Sequence, residues 1–110
     1  MKILEVRNLV FSDVKVIRYE RFKDDRGYFT ETFRESDFKT VISNFSIKQV
    51  NESYSSVKGV LRGLHLQWSP YMGKLIRTVK GHMVDLFLDI RKNSPTYGKV
   101  AAYDMPERPK

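Results

Sequence analysis

Near its middle, the chain reads Gly59-Val60-Leu61-Arg62-Gly63-Leu64-His65-Leu66-Gln67. A short apolar run that begins at a glycine is typical of a β-strand. Because the side chains of a strand alternate between its two faces, His65 and Gln67 are expected on the same face. The stretch therefore predicts a strand that presents an imidazole and an amide on one side of a sheet.

The spacing around this strand resembles the first motif of the cupin superfamily. Five residues separate Gly59 from His65, and one residue separates His65 from Gln67. Six residues separate Lys74 from Gly81. A metal-binding cupin carries a second histidine at the Gln67 position and a carboxylate at the Lys74 position. Because a charged lysine offers no lone pair to a cation, we expect metal-free chemistry, with an imidazole that moves a proton beside a fixed positive charge.

Length and composition limit the classes of protein to consider. The 110 residues contain no cysteine, and we expect residues 1–110 to form one small domain. The absence of thiols fits a reducing compartment. Charges at Lys2, Glu5 and Arg7 come too early for a secretory signal. Since no run approaches the roughly 20 apolar residues of a membrane span, we expect a cytoplasmic protein without membrane contact.

The net charge of +7 is unevenly distributed. Residues 1–55 carry a net charge of +1, whereas residues 56–110 carry +6. A basic half indicates an anionic partner, such as a phosphorylated small molecule or nucleic acid, although a solvated surface explains it equally well. Because the chain has no helix-turn-helix, RRM or zinc-finger signature, we expect no nucleic-acid partner.

Strand signals dominate the secondary structure predicted from the sequence. Residues 15–22 and 28–33 are predicted to form a hairpin around a turn at residues 23–27, in which Gly27 is free to adopt positive φ. A short helix capped by Ser36 is predicted over residues 36–42. Further strands are predicted at residues 45–53, 59–68, 74–80, 82–90 and 99–103, with a turn at 93–98. This pattern predicts an all-β sandwich or jelly roll, with too few strands after residue 45 to close it.

Five motifs, in order, closely resemble the dTDP-4-dehydrorhamnose 3,5-epimerase family. They occupy residues 25–33, 49–53, 59–67, 73–77 and 89–98. The resemblance implies a cupin jelly roll that works as a homodimer, without metal or cofactor, in dTDP-L-rhamnose biosynthesis. The implied reaction inverts C3 and C5 of a dTDP-4-keto-6-deoxy sugar. The C4 ketone acidifies both positions, so that a base removes each proton, an enolate forms, and a proton returns on the other face.

The resemblance also implies three catalytic positions. His65 matches the family's base, and the unperturbed histidine pKa near 6.5 suits proton removal at neutral pH. Lys74 matches a lysine whose charge stabilises the enolate oxygen at C4. Asp85 matches a carboxylate close to the site, and an ordinary solvated or salt-bridged carboxylate explains it equally well.

The substrate-binding positions that we predict are Arg26, Phe29, Glu31, Gln49, Asn51, Arg62 and Gln67. The family resemblance matches the two arginines with groups that hold the diphosphate, and the phenylalanine with an aromatic that covers the thymine. Strict alternation puts Arg62 on the face opposite His65, unless a bulge at Gly63 brings both to one side. The hairpin at residues 26–33 would reach across the dimer and serve the partner's site.

Members of this family are longer than 110 residues. Their C-terminal part supplies a tyrosine that acts as the general acid and an aspartate that pairs with the catalytic histidine, and both positions would follow residue 110. We therefore expect this chain to be the N-terminal part of such an enzyme. A related dTDP-sugar 3,4-ketoisomerase, a single-site epimerase and a non-catalytic dTDP-binding remnant stay open as alternatives.

Overall fold

A computed structural model describes residues 1–107 of the chain. The chain divides into two compact units, Met1–Glu52 and Ser53–Lys110. Their elements are β1 (Ile3–Asn8), β2 (Lys15–Tyr19), β3 (Phe22–Asp24), β4 (Gly27–Phe29), α1 (Glu35–Phe38), β5 (His82–Leu88) and β6 (Val100–Pro106). Each strand pairs only with its neighbour in sequence, so the described residues form three two-stranded sheets. The predicted all-β class with an N-terminal hairpin and a short helix is confirmed, whereas the described residues do not close a jelly roll.

The first sheet of unit Met1–Glu52 pairs β1 with β2 in antiparallel register, with Val6 opposite Ile17. Strand β1 was not predicted from the sequence, and the following strand was predicted to extend to residue 22. The observed β2 ends at Tyr19, after which the backbone N–H of Glu20 donates to the carbonyl of Lys2 at 2.8 Å. The predicted end of this strand at residue 22 was therefore wrong, because Phe22 belongs to strand β3 of the second sheet.

The predicted hairpin is confirmed in a shorter form. Strands β3 and β4 pair across a two-residue turn, with Asp24 opposite Gly27. The Oδ1 atom of Asp24 accepts from the backbone N–H of Arg26 at 2.8 Å, and Gly27 adopts the expected positive φ of 139°. Strand β4 ends at Phe29 rather than residue 33, and the Thr30 hydroxyl instead donates to the carbonyl of Glu20 at 2.7 Å.

Helix α1 places the main apolar anchor of this unit. Phe38 is 2% exposed, and its ring centroid lies 5.5 Å from that of Phe33 and 5.0 Å from that of Phe45. The helix is one turn long, and its N-cap is Arg34, with no side-chain capping bond. The prediction of a helix over residues 36–42 capped by Ser36 was therefore wrong in its start, its length and its cap. Aromatic packing, rather than capping, holds the turn in place.

The sheet of unit Ser53–Lys110 pairs β5 with β6, with Asp85 opposite Tyr103 and Leu86 opposite Ala102. Alternation along β5 is as predicted, but the predicted end at residue 90 was wrong, because the strand stops at Leu88. The apolar face that carries Val84, Leu86 and Leu88 is the more exposed one. The ribbon therefore presents an uncovered apolar face, which we call the outer face.

Strand β6 was predicted at residues 99–103. It begins one residue later, at Val100, and continues to Pro106. Proline cannot donate a ladder hydrogen bond. At the end of an edge strand this loss costs little. The next residue, Glu107, continues the contact by donating its backbone N–H to the carbonyl of Gly81 at 2.8 Å.

A buried carboxylate organises the connection between β5 and β6, where the predicted turn at residues 93–98 is confirmed. The side chain of Asp89 is 1% exposed. It accepts hydrogen bonds from the Arg91 guanidinium at 3.0 Å, from the Ser94 hydroxyl at 2.6 Å and from the Thr96 hydroxyl at 2.5 Å. These bonds hold the pKa of the Asp89 carboxyl well below its usual range. We call this group the Asp89 cluster.

Three predicted strands, at residues 45–53, 59–68 and 74–80, are not strands in the described structure. Their apolar side chains are largely exposed, and Val50 and Leu61 reach 83% and 80%. A strand needs a neighbouring strand to bind its backbone N–H and C=O groups. The described residues supply no such neighbour for these three stretches, which explains why strand-like sequences do not form a ladder.

Candidate functional site

The predicted site residues divide equally between the two units. Unit Met1–Glu52 holds Arg26, Phe29, Glu31, Gln49 and Asn51. Unit Ser53–Lys110 holds Arg62, His65, Gln67, Lys74 and Asp85. The first set contains mainly nucleotide-binding predictions, and the second contains all three predicted catalytic residues.

An open cavity of about 230 Å³ lies at the β3–β4 hairpin, and its lining includes Arg26 and Phe29. Phe29 is 72% exposed, so its ring is available for stacking rather than committed to a core. The Nε and Nη2 atoms of Arg26 donate to Oδ2 of Asp24 at 3.1 and 2.6 Å. Because this pairing uses one edge of the guanidinium, the Nη1 atom has no partner among residues 1–107. This role of Asp24 was not predicted from the sequence.

Glu31 is committed to ion pairs in this structure. Its Oε1 and Oε2 atoms accept from Nε and Nη2 of Arg34, both at 2.7 Å. The N-terminal ammonium of Met1 also binds Glu31, and it binds Oδ2 of Asp37 at 2.8 Å. The bonds from Arg34 and from Met1 lower the pKa of Glu31 to about 2. A ligand that used Glu31 would have to share it with these cations.

Two other predicted polar residues lie side by side. The Nε2 atom of Gln49 donates to Oδ1 of Asn51 at 3.1 Å, and both residues are exposed. This hydrogen bond holds the two amides next to each other. This pair offers a free amide N–H₂ and a free carbonyl, which suits the hydrogen-bonding edge of a base.

The conformation of Gly63 determines the position of His65. Gly63 has φ of 103°, and a Cβ atom built at this position would lie 3.1 Å from Nδ1 of His65. Both the left-handed backbone and the close approach of the imidazole therefore favour glycine. The segment is irregular rather than a strand, so strict alternation does not decide which residues share a side. His65 is exposed and has no hydrogen-bond partner in the part of the chain that the structure describes.

Gln67 closes a turn rather than standing free on a sheet. Its Nε2 atom donates to the carbonyl of Pro70 at 3.0 Å. The rings of Trp68 and Tyr71 meet edge to face across this turn, with centroids 5.3 Å apart. The predicted placement of Gln67 and His65 on one strand face was wrong, because no strand forms here.

Lys74 and Asp85 influence each other electrostatically. Asp85 is half-buried on strand β5, and burial raises the pKa of its carboxyl while the charge of Lys74 lowers it in part. The segment that carries Lys74 is tied to β6, because the Thr78 hydroxyl donates to the carbonyl of Met105 at 2.7 Å. Two of the three predicted catalytic residues therefore form one electrostatic pair.

Replacing Lys74 with methionine is expected to raise the pKa of Asp85 further, because burial persists while the positive charge is lost. A carbon-13 NMR titration of the Asp85 carboxyl measures the change. Lys80→Met is the matched control, since Lys80 does not contribute to the shift at Asp85, and it should leave the titration unchanged. An unaltered or lower pKa of Asp85 in Lys74→Met would disprove the coupling.

Arg62 is held by neutral oxygen atoms. Its Nη2 atom donates to the carbonyl of Tyr54 at 3.0 Å and to Oγ of Ser55 at 3.1 Å, and its Nε atom donates to Oγ of Ser55 at 3.3 Å. The guanidinium thereby closes the loop 54–62, and its Nη1 atom has no partner within residues 1–107. Ser55 is a second residue whose role the sequence analysis missed, since its partner lies seven positions away along an irregular loop.

Residues 1–107 contain no group of three or more histidine, cysteine, aspartate or glutamate side chains placed to hold a metal ion. None of the helices within residues 1–107 has the length and apolar character that crossing a bilayer requires.

Sequence comparisons relate the chain to known proteins. A family model described as dTDP-4-dehydrorhamnose 3,5-epimerase matches residues 8–110. The chain is 41% identical over 102 residues to the dTDP-4-dehydrorhamnose 3,5-epimerase of Sinorhizobium fredii. This match covers 92% of the chain and 52% of the relative. It is 48% identical over 84 residues to the protein of the same name from Methanothermobacter thermautotrophicus. That match covers 76% of this chain and 45% of the relative. The chain thus spans about half the length of the curated relatives it matches.

A solved structure is similar as well. It is the 1.63 Å crystal structure of dTDP-4-dehydrorhamnose 3,5-epimerase from Bacillus anthracis with TDP and PPi bound. The two chains agree with a TM-score of 0.87 and 36% sequence identity, over 94% of this chain and 59% of that chain. This similarity confirms the predicted fold class.

Proposed function

The chain belongs to the dTDP-4-dehydrorhamnose 3,5-epimerase family, and from this membership we propose that it is an isomerase acting on a dTDP-4-keto-6-deoxy sugar. The proposed reaction inverts C3 and C5 on either side of the C4 ketone. The observation that carries the proposal is the family match over residues 8–110. A similar structure that holds TDP and PPi supports a thymidine nucleotide as part of the substrate.

The proposed base is His65. Its imidazole is exposed, and a neutral ring nitrogen accepts a proton from the carbon next to the ketone. Gly63 leaves room for this ring beside the backbone. Because the C4 carbonyl delocalises the resulting charge as an enolate, the same base serves C3 and C5 in turn.

Lys74 is proposed to stabilise the enolate oxygen at C4. A fixed positive charge placed where negative charge develops lowers the barrier, and loss of one such group typically costs roughly 3–4 kcal/mol. Asp85 is proposed to orient Lys74, supported by their electrostatic coupling. Gln67 is proposed to contact the sugar, with its amide oxygen available because only its Nε2 atom is used in the turn.

Nucleotide-binding roles are proposed for residues in each unit separately. Arg26 and Arg62 each keep an unpartnered Nη1 atom that suits phosphate oxygens, and Phe29 is exposed at the hairpin cavity for stacking on thymine. Gln49, Asn51 and Glu31 are proposed as polar contacts to the nucleotide. We further propose a homodimer in which hairpin 26–33 serves the partner's site; sedimentation equilibrium showing a monomer at assay concentrations would contradict this assembly.

Proton exchange tests the proposed function directly. The chain is incubated with dTDP-4-keto-6-deoxyglucose in D₂O, and proton NMR follows the C3 and C5 signals. Exchange needs only removal and return of a proton, so it reports the base even when no inversion follows. We expect both signals to fade faster than in an enzyme-free control. Loss at C3 alone would favour a single-site enzyme, and no loss at either position would contradict the proposal for this chain.

A further inference from the structure

The two arginines proposed to hold the diphosphate are anchored by different chemistry. Arg26 is paired with the carboxylate of Asp24, which neutralises much of its charge. Arg62 is held by the carbonyl of Tyr54 and the hydroxyl of Ser55, both of which are uncharged. The whole positive charge of Arg62 is therefore left for a ligand.

From this geometry we propose that Ser55 is a positioning residue for anion binding, acting through Arg62. The inference rests on the proposed function of Arg62 as a diphosphate ligand. Ser55 accepts from both Nε and Nη2, so that it fixes the plane of the guanidinium along one edge. The Nη1 group makes no hydrogen bond within residues 1–107, so its N–H donors are left for a phosphate oxygen.

A pre-anchored arginine binds more tightly because its side-chain freedom is restricted before the ligand arrives. Ordering one long side chain on binding corresponds to a roughly 2–10-fold change in affinity. Ser55→Ala removes an acceptor without altering any charge, so the expected sign is unambiguous. The dissociation constant for dTDP should rise by that factor.

Calorimetric titration with dTDP tests the proposal on the full 110-residue chain. Ser55→Thr keeps the hydroxyl and should bind nearly as wild type does. Ser56→Ala is the matched control, because Ser56 makes no hydrogen bond within residues 1–107, and it should leave affinity unchanged. Circular dichroism of each variant checks that the fold is retained.

A double-mutant cycle separates positioning from a structural role of Ser55 in its loop. If Ser55 acts through Arg62, the Ser55→Ala change should have no further effect in an Arg62→Ala background. An equal loss in both backgrounds would overturn the proposal. Wild-type affinity in Ser55→Ala would overturn it too, and would leave the proposed function intact if Arg62→Ala still weakens binding. No effect of Arg62→Ala, or no dTDP binding by wild type, would instead refute the proposed ligand role itself together with this inference.

Discussion

Replacing His65 with alanine is expected to slow exchange of the C3 and C5 protons by roughly 10²–10⁴-fold, the usual contribution of a positioned base. The physical reason is that, among the described residues, His65 alone combines an exposed imidazole with the matching motif position. Initial rates of deuterium incorporation from dTDP-4-keto-6-deoxyglucose in D₂O measure the effect. Binding of dTDP should persist, because the imidazole is not among the proposed diphosphate ligands.

The second histidine of the chain supplies a matched control. His82 begins strand β5 and pairs across the ribbon with Asp104 of β6. His82→Ala removes the same chemical group from a position outside the proposed site, and exchange should continue at the wild-type rate. If both substitutions slowed exchange equally, or if His65→Ala exchanged normally, the assignment of the base would be wrong.

Replacing Asp89 with alanine is expected to destabilise unit Ser53–Lys110 more than any surface substitution in it. The change removes the common acceptor of the Asp89 cluster and leaves the Ser94 and Thr96 hydroxyls without it. Breaking a buried hydrogen-bonded network belongs to the mutations with large effects. A fall of roughly 5–10 °C in Tm by circular dichroism is expected for a chain of this size.

Asp104→Asn is the matched control, because it removes a carboxylate whose side chain is exposed on the same ribbon. Surface ion pairs contribute little to stability, so this variant should melt close to wild type. If Asp89→Ala had the same Tm as Asp104→Asn, the Asp89 cluster would not stabilise the fold.

Lowering the pH should weaken the contribution of the Asp89 cluster to the free energy of unfolding. The folded-state pKa of Asp89 is depressed, so its contribution to the free energy of unfolding is complete above the unfolded carboxyl pKa near 4. That contribution declines as the pH falls below about 4 toward the folded-state pKa. In Asp89→Ala, the slope of stability against pH in this window should be shallower than in wild type.

The sequence predicted elements whose partners lie nearby in the chain. Strand β5 and the β3–β4 hairpin were found because alternation and a glycine turn are local signals, and because each strand meets its neighbour within the described residues. The strands predicted at residues 59–68 and 74–80 carry equally good local signals. They form no ladder because pairing requires a neighbouring strand, which a local pattern does not reveal.

The same limit applies to the candidate site, where the sequence predicts residue types but not the contacts that those residues make. Motif spacing predicted His65 and Lys74 as site residues. The exposure of His65 and the coupling of Lys74 to Asp85 are visible only in the structure. The groups that hold the arginines, Asp24 and Ser55, were missed. Their roles depend on rotamers and loop closure, to which no periodicity or motif in a single sequence corresponds.

The outer face of the β5–β6 ribbon has a consequence for how the protein behaves in bulk solution. Molecules that carry a charge of +7 repel one another over a Debye length of about 10 Å at 0.1 M salt, which shortens to about 3 Å at 1 M. Once that barrier has collapsed, uncovered Val84 and Leu86 on neighbouring molecules attract each other. Colloidal stability is therefore expected to fall as ionic strength rises, and that strip of aliphatic surface contributes to the attraction that brings molecules together.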